Sequence, residues 1–250
     1  MRPRIALNCD IRSCESDETE RAKGGAGGKL RSGLYLDYID FVVAAGGTPL
    51  LLPPASCALP LLDDVDGLIL TGGADYRLGN DGGEAPPRFV PVDERREAFD
   101  IELAREALRR DLPLLGICGG FQLMVLVEGG GLHGDLETEI GGAVPHRKED
   151  EDDPIARHGI EWTEVFAPLG VDRGRLDVNS QHHQGVRELP PAWSALAHTD
   201  DGLLEAAAGP GRFQLAVQWH PERDRGTLLT RRLGEALVGA ASRFHGERGG

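Results

Sequence analysis

Leu114-Leu115-Gly116-Ile117-Cys118-Gly119-Gly120-Phe121-Gln122-Leu123-Met124 is a short apolar run, a glycine-flanked cysteine and the apolar start of a helix. It reads as a strand, a sharp turn and a helix, with a thiol at the turn. Glycines belong there because a nucleophile held at a strained strand-to-helix bend needs small neighbours. The Gly-x-Cys-x-Gly pattern is the cysteine counterpart of the Gly-x-Ser-x-Gly elbow. A helix starting just after Cys118 points free backbone N–H groups and its positive end at the sulfur, which favours thiolate over thiol. The same stretch also fits a buried, inert cysteine ahead of a packed helix, so a catalytic reading needs partners elsewhere in the chain.

Outward from the elbow the chain alternates strands and helices. Residues 4–9 lean towards a strand, closed by Asp10. Leu34, Tyr38, Phe41, Val42 and Ala45 recur at helical spacing before Gly46-Gly47 supplies a stop. Residues 48–52 and 65–71 read as strands, the second opening into Gly72-Gly73-Ala74-Asp75. Residues 94–110 form a strongly charged helix with Phe99, Leu103 and Ala107 on its apolar side, leading through Pro113 to the elbow strand. After Gly129-Gly130-Gly131 the β character rises around residues 158–165, 176–179, 193–199, 203–207 and 213–219, with Asp201-Gly202 as a turn, and residues 228–244 close as an amphipathic helix. The expected fold is a single α/β domain over residues 1–250, flavodoxin-like, with a mostly parallel sheet, helices on both faces and a site at the carboxyl ends of the strands. The stretch 15–29 reads as a flexible loop or a flap, residues 82–91 as a loop, and the acidic run 149–153 as a wet surface loop.

The net charge of −14 argues against nucleic acid or an anionic membrane surface as the main partner. No stretch approaches the roughly 20 apolar residues of a membrane span, and residues 1–10 are too short and polar for a signal peptide. A cytoplasmic protein is the expectation, with a homodimer left open. Cys9, Cys14, Cys57 and Cys118 form neither a dense framework nor a C-x-x-C metal pattern, so they read as free thiols.

The elbow finds its partners in His220-Pro221-Glu222. Along an extended chain side chains alternate, so His220 and Glu222 share a side while Pro221 fixes the backbone between them. If that strand lies beside the elbow strand, His220 can take the Cys118 proton and Glu222 can hold the ring tautomer. Acylation of the thiol also needs oxyanion donors. The N–H of Gly119 is one candidate, and Gly72-Gly73 either offers a second or is a plain tight turn.

These residues carry a resemblance. With residues 44–49, Asp66-Gly67-Leu68-Ile69-Leu70-Thr71-Gly72-Gly73-Ala74-Asp75, Val178-Asn179-Ser180-Gln181-His182-His183-Gln184, Asp201-Gly202 with Glu205, and Val217-Gln218-Trp219-His220-Pro221-Glu222, the sequence resembles a class I glutamine amidotransferase-like hydrolase. Within that superfamily it most resembles the gamma-glutamyl-gamma-aminobutyrate hydrolase family of cysteine peptidases. The resemblance implies Cys118 as nucleophile, His220 as general base and acid, Glu222 as orienting carboxylate, and Gly73 and Gly119 as the oxyanion hole. It implies that Gln122 helps hold a glutamyl head group and that residues 180–184, including Ser180, Gln181, His182 and His183, line the same pocket. Of the two histidines, one would contact substrate or the site wall and the other would pack. A metal at that bare pair is the weaker alternative, because no further ligand cluster accompanies it in sequence. No cofactor is required by the chemistry the resemblance implies, hydrolysis of a small-molecule gamma-glutamyl amide through a thioester.

The chain also departs from the family pattern. Relatives in this branch usually carry Arg where it has Gly119 and Asn where it has Val125, and the proline after the Thr-Gly-Gly-x-Asp loop is missing, with Leu78 nearby. Two rival readings follow: a glutaminase subunit passing ammonia to a synthase partner, and a catalytically silent binding protein. The lack of a fused synthase favours the hydrolase over the first, and the complete Cys-His-Glu set argues against the second.

Overall fold

The computed structural model describes residues 2–13, 30–78, 85–149, 155–163 and 169–248, so the stretch 15–29, Cys14 and the acidic run beyond Glu149 lie outside the described residues. Strands β1 (Arg4–Asn8), β2 (Asp10–Ser13) and β3 (Leu30–Gly33) lead into helix α1 (Leu36–Ala44) and strand β4 (Thr48–Leu52). A 3-10 stretch at Ser56–Asp64 precedes β5 (Gly67–Leu70), helix α2 (Glu94–Arg109), β6 (Leu114–Ile117) and helix α3 (Gly119–Val127). Then come β7 (Gly131–His133), the short helix α4 (Leu136–Glu139), β8 (Ala156–Trp162), β9 (Gly174–Ser180) and β10 (Gly185–Glu188). The last elements are β11 (Ser194–Thr199), β12 (Leu204–Ala208), β13 (Gln214–Val217) and helix α5 (Leu228–Arg248).

The main sheet runs β4-β1-β5-β6-β13-β12-β11-β8-β9. From β4 to β13 every neighbour is parallel. Ranked by their place in the chain, these five strands stand in the order 2-1-3-4-5, the flavodoxin-like arrangement whose ligands sit beyond the carboxyl ends of the strands. Beyond β13 the sheet continues antiparallel through β12, β11, β8 and β9.

Strand alternation sorts the apolar residues into two cores, one on each face. Ile5, Leu7, Ile69, Leu115, Ile117, Leu215 and Val217 point to the face covered by α1 and α5, where Phe41, Leu233 and Leu237 meet them. Ala6, Leu68, Leu70, Leu114 and Ala216 point to the other, covered by Phe99 and Leu103 of α2 and Phe121 and Leu123 of α3. Burial on both sides is why these strands read as continuous apolar runs. Each fully buried leucine or isoleucine contributes about 1.5–3 kcal/mol. Helix α2 begins where the Asp93 carboxylate accepts from the Arg95 N–H at 2.9 Å, with Glu94 and Glu97 in its first turn and Arg109 in its last. Among the described residues no helix is long and apolar enough to cross a membrane.

Several elements differ from the sequence expectation. The β2–β3 hairpin leaves no clear sequence signal, because its strands are short and β3 is almost wholly exposed. Residues 56–64, with Pro60 inside, wind as a 3-10 stretch. The last parallel strand ends at Val217, short of the Trp219 expected from apolar character.

Candidate active site

Three adjacent parallel strands deliver their following residues to one place: β5 the Gly72-Gly73 turn, β6 Cys118, and β13 His220. Between β6 and β13, Leu115 stands opposite Leu215 and Ile117 opposite Val217, and the Cys118 N–H donates to the Val217 carbonyl at 2.8 Å. Cys118 then turns the chain with φ 52° and ψ −111°, a left-handed conformation that non-glycine residues rarely adopt. The strained bend puts the thiol at the head of α3 and requires small residues around it. A Cβ on Gly120 would run into the Leu70 carbonyl, so glycine lets α3 approach β5 closely. A Cβ on Gly119 would meet the Gly73 nitrogen at 3.4 Å and the Gly72 Cα and carbonyl carbon at 3.6 and 3.7 Å, all ordinary contacts, so sterics do not dictate glycine there.

Nδ1 of His220 lies 2.7 Å from Oε1 of the fully buried Glu222. Strand alternation is not what pairs them. Pro221–Arg223 forms a 3-10 turn, and that turn brings the carboxylate back onto the ring. Asn179, at the end of β9, clamps the His220 backbone from both sides, donating to its carbonyl at 2.8 Å and accepting from its N–H at 2.9 Å. Burial works against charge on the His220 ring, but the facing Cys118 and Glu222 outweigh it and push the ring up to about 10.

The Gly72-Gly73 turn is held from both sides. The Gly72 N–H donates to the Tyr38 hydroxyl at 3.0 Å, and the Gly72 carbonyl accepts from Arg96 Nη2 at 3.0 Å. In a planar trans peptide C=O and N–H point oppositely, so Arg96 on the carbonyl turns the Gly73 N–H away from itself, towards Gly119. Gly73 must be glycine, because a Cβ there would collide with the Arg96 guanidinium. Arg96 is fully buried between Asp10 at 2.8 Å and Asp100 at 3.0 Å. Burial opposes its charge, and Tyr76, Asp100 and Asp10 more than offset that. Asn8 extends the network by donating to Asp100 at 2.8 Å and accepting from the Thr71 N–H at 2.8 Å.

Cys118, His220, Gly72, Gly73 and Gln181 line a cavity of about 500 Å³, with Arg12, Arg31 and Arg223 among its walls. The other residues singled out in the sequence are placed as follows. The Gln122 amide is buried and donates to the Gln184 carbonyl at 3.2 Å and to Gln218 Oε1 at 3.5 Å. Gln218 in turn holds its Nε2 3.7 Å from Cys118 Sγ. The Ser180 hydroxyl donates to the His146 carbonyl at 2.6 Å, and Gln181 accepts from Arg223. His183 faces Asp75, Nε2 to Oδ2 at 3.1 Å. His182 is buried beside His146, His158 and Glu205. On one point the sequence reading is corrected: a cluster able to hold a metal does accompany His182, assembled from elements too irregularly spaced to show in one dimension.

Sequence reasoning passes over Arg96, Tyr38, Asn179 and Gln218. A signal exists for Arg96 and Asp100, which fall at helical spacing on the same side as Phe99, Leu103 and Ala107, where charges are expected only if paired. Gln218 and Asn179 stand inside the quoted motifs and gain a role only once the strands are aligned. Cys9, Cys57 and Cys118 are free thiols.

A family model described as Peptidase C26 matches residues 11–222. A Mycobacterium tuberculosis protein with a provisional glutamine amidotransferase name is 34% identical over 223 residues, covering 86% of this chain and 70% of that protein. The gamma-glutamyl-gamma-aminobutyrate hydrolase of Escherichia coli strain K12 is 31% identical over 227 residues, covering 84% and 87%. Among solved structures, a Thermoplasma acidophilum chain provisionally described as a GMP synthase component superposes with a TM-score of 0.66 at 16% identity, covering 100% of this chain and 99% of that one. That likeness is one of fold.

Proposed function

The chain belongs to the peptidase C26 family, and from that premise we propose that it hydrolyses the amide bond of gamma-glutamyl amines through a thioester on Cys118. The observation that carries the reading is the meeting of a thiol on a strained residue at the head of a helix, an imidazole paired to a buried carboxylate, and two glycine amides at the ends of three adjacent strands.

In this mechanism Cys118 Sγ attacks the side-chain carbonyl carbon while His220 carries the thiol proton, and Glu222 holds the opposite ring nitrogen. The N–H groups of Gly73 and Gly119 receive the developing oxyanion, a contribution of about 10²–10³ in rate per donor. His220 Nε2 then protonates the departing amine as the carbon–nitrogen bond breaks. Water, deprotonated by the same ring, cleaves the thioester to release glutamate and restore the thiol.

Arg31 on the cavity wall, beside Arg12 and Arg223, which already face Asp10 and Glu222, favours a leaving amine that itself carries an acidic group, as a gamma-aminobutyrate-like product would. Assay of the purified protein against a panel of gamma-glutamyl amines, with glutamine included and Cys118→Ala as control, tests the proposal. The expected result is turnover of the carboxylate-bearing amines without any partner and none by the variant. Preference for glutamine that rises with an added synthase would replace this reading with the glutaminase one.

A further inference from the structure

Away from the thiol, four buried side chains from separate elements converge: His146 ahead of β8, His158 within it, His182 just after β9, and Glu205 on β12. One potential ligand atom from each lies within 4.8 Å of all the others. Measured to Glu205 Oε1, His146 Nδ1 is at 3.8 Å, His158 Nε2 at 3.7 Å and His182 Nε2 at 3.4 Å. None of these pairs makes a hydrogen bond, and among the described residues none of the three nitrogens, nor either Glu205 oxygen, has a hydrogen-bond partner. Such spacing is costly for a bare cluster, since each unsatisfied buried polar atom costs about 1–3 kcal/mol.

The same separations suit ligands around an ion. Metal–ligand distances of about 2.0–2.1 Å at a tetrahedral angle place the ligand atoms about 3.3 Å apart. Two of the three outer nitrogens are already fixed. His146 Nε2 lies 2.9 Å from Asp201 Oδ2, and His182 Nδ1 lies 2.9 Å from the Gln184 carbonyl. A proton on each of these two outer nitrogens leaves the inner one as a lone pair towards Glu205, the support that metal-bound histidines use, while His158 Nδ1 has no hydrogen-bond partner among the described residues. A cavity of about 210 Å³ reaches His146 and His182 from the surface, with Arg88, Glu137 and Glu149 on its walls, and provides an entry path.

We propose that His146 Nδ1, His158 Nε2, His182 Nε2 and a Glu205 carboxylate oxygen form a structural site for one divalent transition-metal ion of the zinc class. Three imidazoles and a carboxylate suit such an ion, and four protein ligands leave no open position for chemistry. The site fastens the antiparallel half of the sheet to the active site. The Glu205 carbonyl accepts from the Gln218 N–H at 2.8 Å, the His182 N–H and Ser180 hydroxyl both donate to the His146 carbonyl, and neighbouring Asn179 clamps His220. An ion there holds the backbone on which the catalytic imidazole stands.

The test uses the full chain, stripped with a chelator and confirmed folded by circular dichroism, then titrated with Zn²⁺ by calorimetry and with Co²⁺ by visible absorption. The expected result is one ion per chain, a higher melting temperature with Zn²⁺, and the intense absorption of four-coordinate Co²⁺. Cys118→Ala keeps all three, Glu205→Gln and His182→Ala lose the Co²⁺ signal, and the milder Asp201→Asn weakens affinity about 10–100-fold. Absence of Zn²⁺ heat and Co²⁺ absorption in the folded wild type overturns the proposal. So does loss of binding in Cys118→Ala with retention in Glu205→Gln, which would move the ion to the thiol.

Discussion

Replacing Cys118 with alanine should change how His220 titrates, because the facing Cys118 helps to hold the charge on the ring. Burial disfavours the imidazolium, yet Cys118 and Glu222 together carry the ring from its ordinary 6.5 to about 10. At 1.36 kcal/mol per pKa unit, the folded protein's preference for the charged ring is of order 5 kcal/mol. The folded value lies above the unfolded one. This stabilisation is therefore fully present below the unfolded value of 6.5 and is lost as pH rises towards about 10. Cys118 is the largest of the contributions that favour the charge, so in Cys118→Ala only Glu222 opposes burial and the ring deprotonates at lower pH. Histidine NMR titration of both proteins reads the ring directly, and urea unfolding at about pH 6 and about pH 9 reads the linked stability. The wild type should lose more stability across that window than the variant. Identical His220 titrations in the two proteins would refute the interaction between thiol and ring.

Three further substitutions separate positioning from packing. Gly73→Ala sets a methyl group against the buried Arg96 guanidinium and should lower kcat about 10²–10³-fold, with KM changed far less, in steady-state kinetics. Gly119→Ala meets only ordinary contacts and should leave unfolding free energy unchanged or raised by up to about 1 kcal/mol in urea denaturation. Asn179→Ala removes both hydrogen bonds to the His220 backbone, so a loss of about 1–3 kcal/mol in stability with a lower kcat is expected.

What is legible in the sequence is local. The elbow can be read because glycines and a cysteine at a strand-to-helix bend are dictated within a few residues, and the parallel strands because burial on both faces leaves uninterrupted apolar runs such as Leu68 to Leu70. Groups that meet only through the fold stay hidden. Arg96 looks like one charge among many on α2 until Asp10 and Gly72 are brought against it from distant strands. His146 and His158 stand in no motif, Glu205 is marked only by its place after Asp201-Gly202, and it takes the antiparallel pairing of β8, β9, β11 and β12 to bring the cluster to His182. The His220–Glu222 pair is foreseen, but from strand alternation, whereas proline starts a 3-10 turn at that point.

The most direct test of the central claim is to trap the acyl intermediate, by quenching the protein during turnover of a gamma-glutamyl amine and mapping the adduct by mass spectrometry. The account predicts a glutamyl group on the peptide containing Cys118, and neither adduct nor turnover in Cys118→Ala. Full turnover by that variant, or an adduct on a different residue, would contradict it.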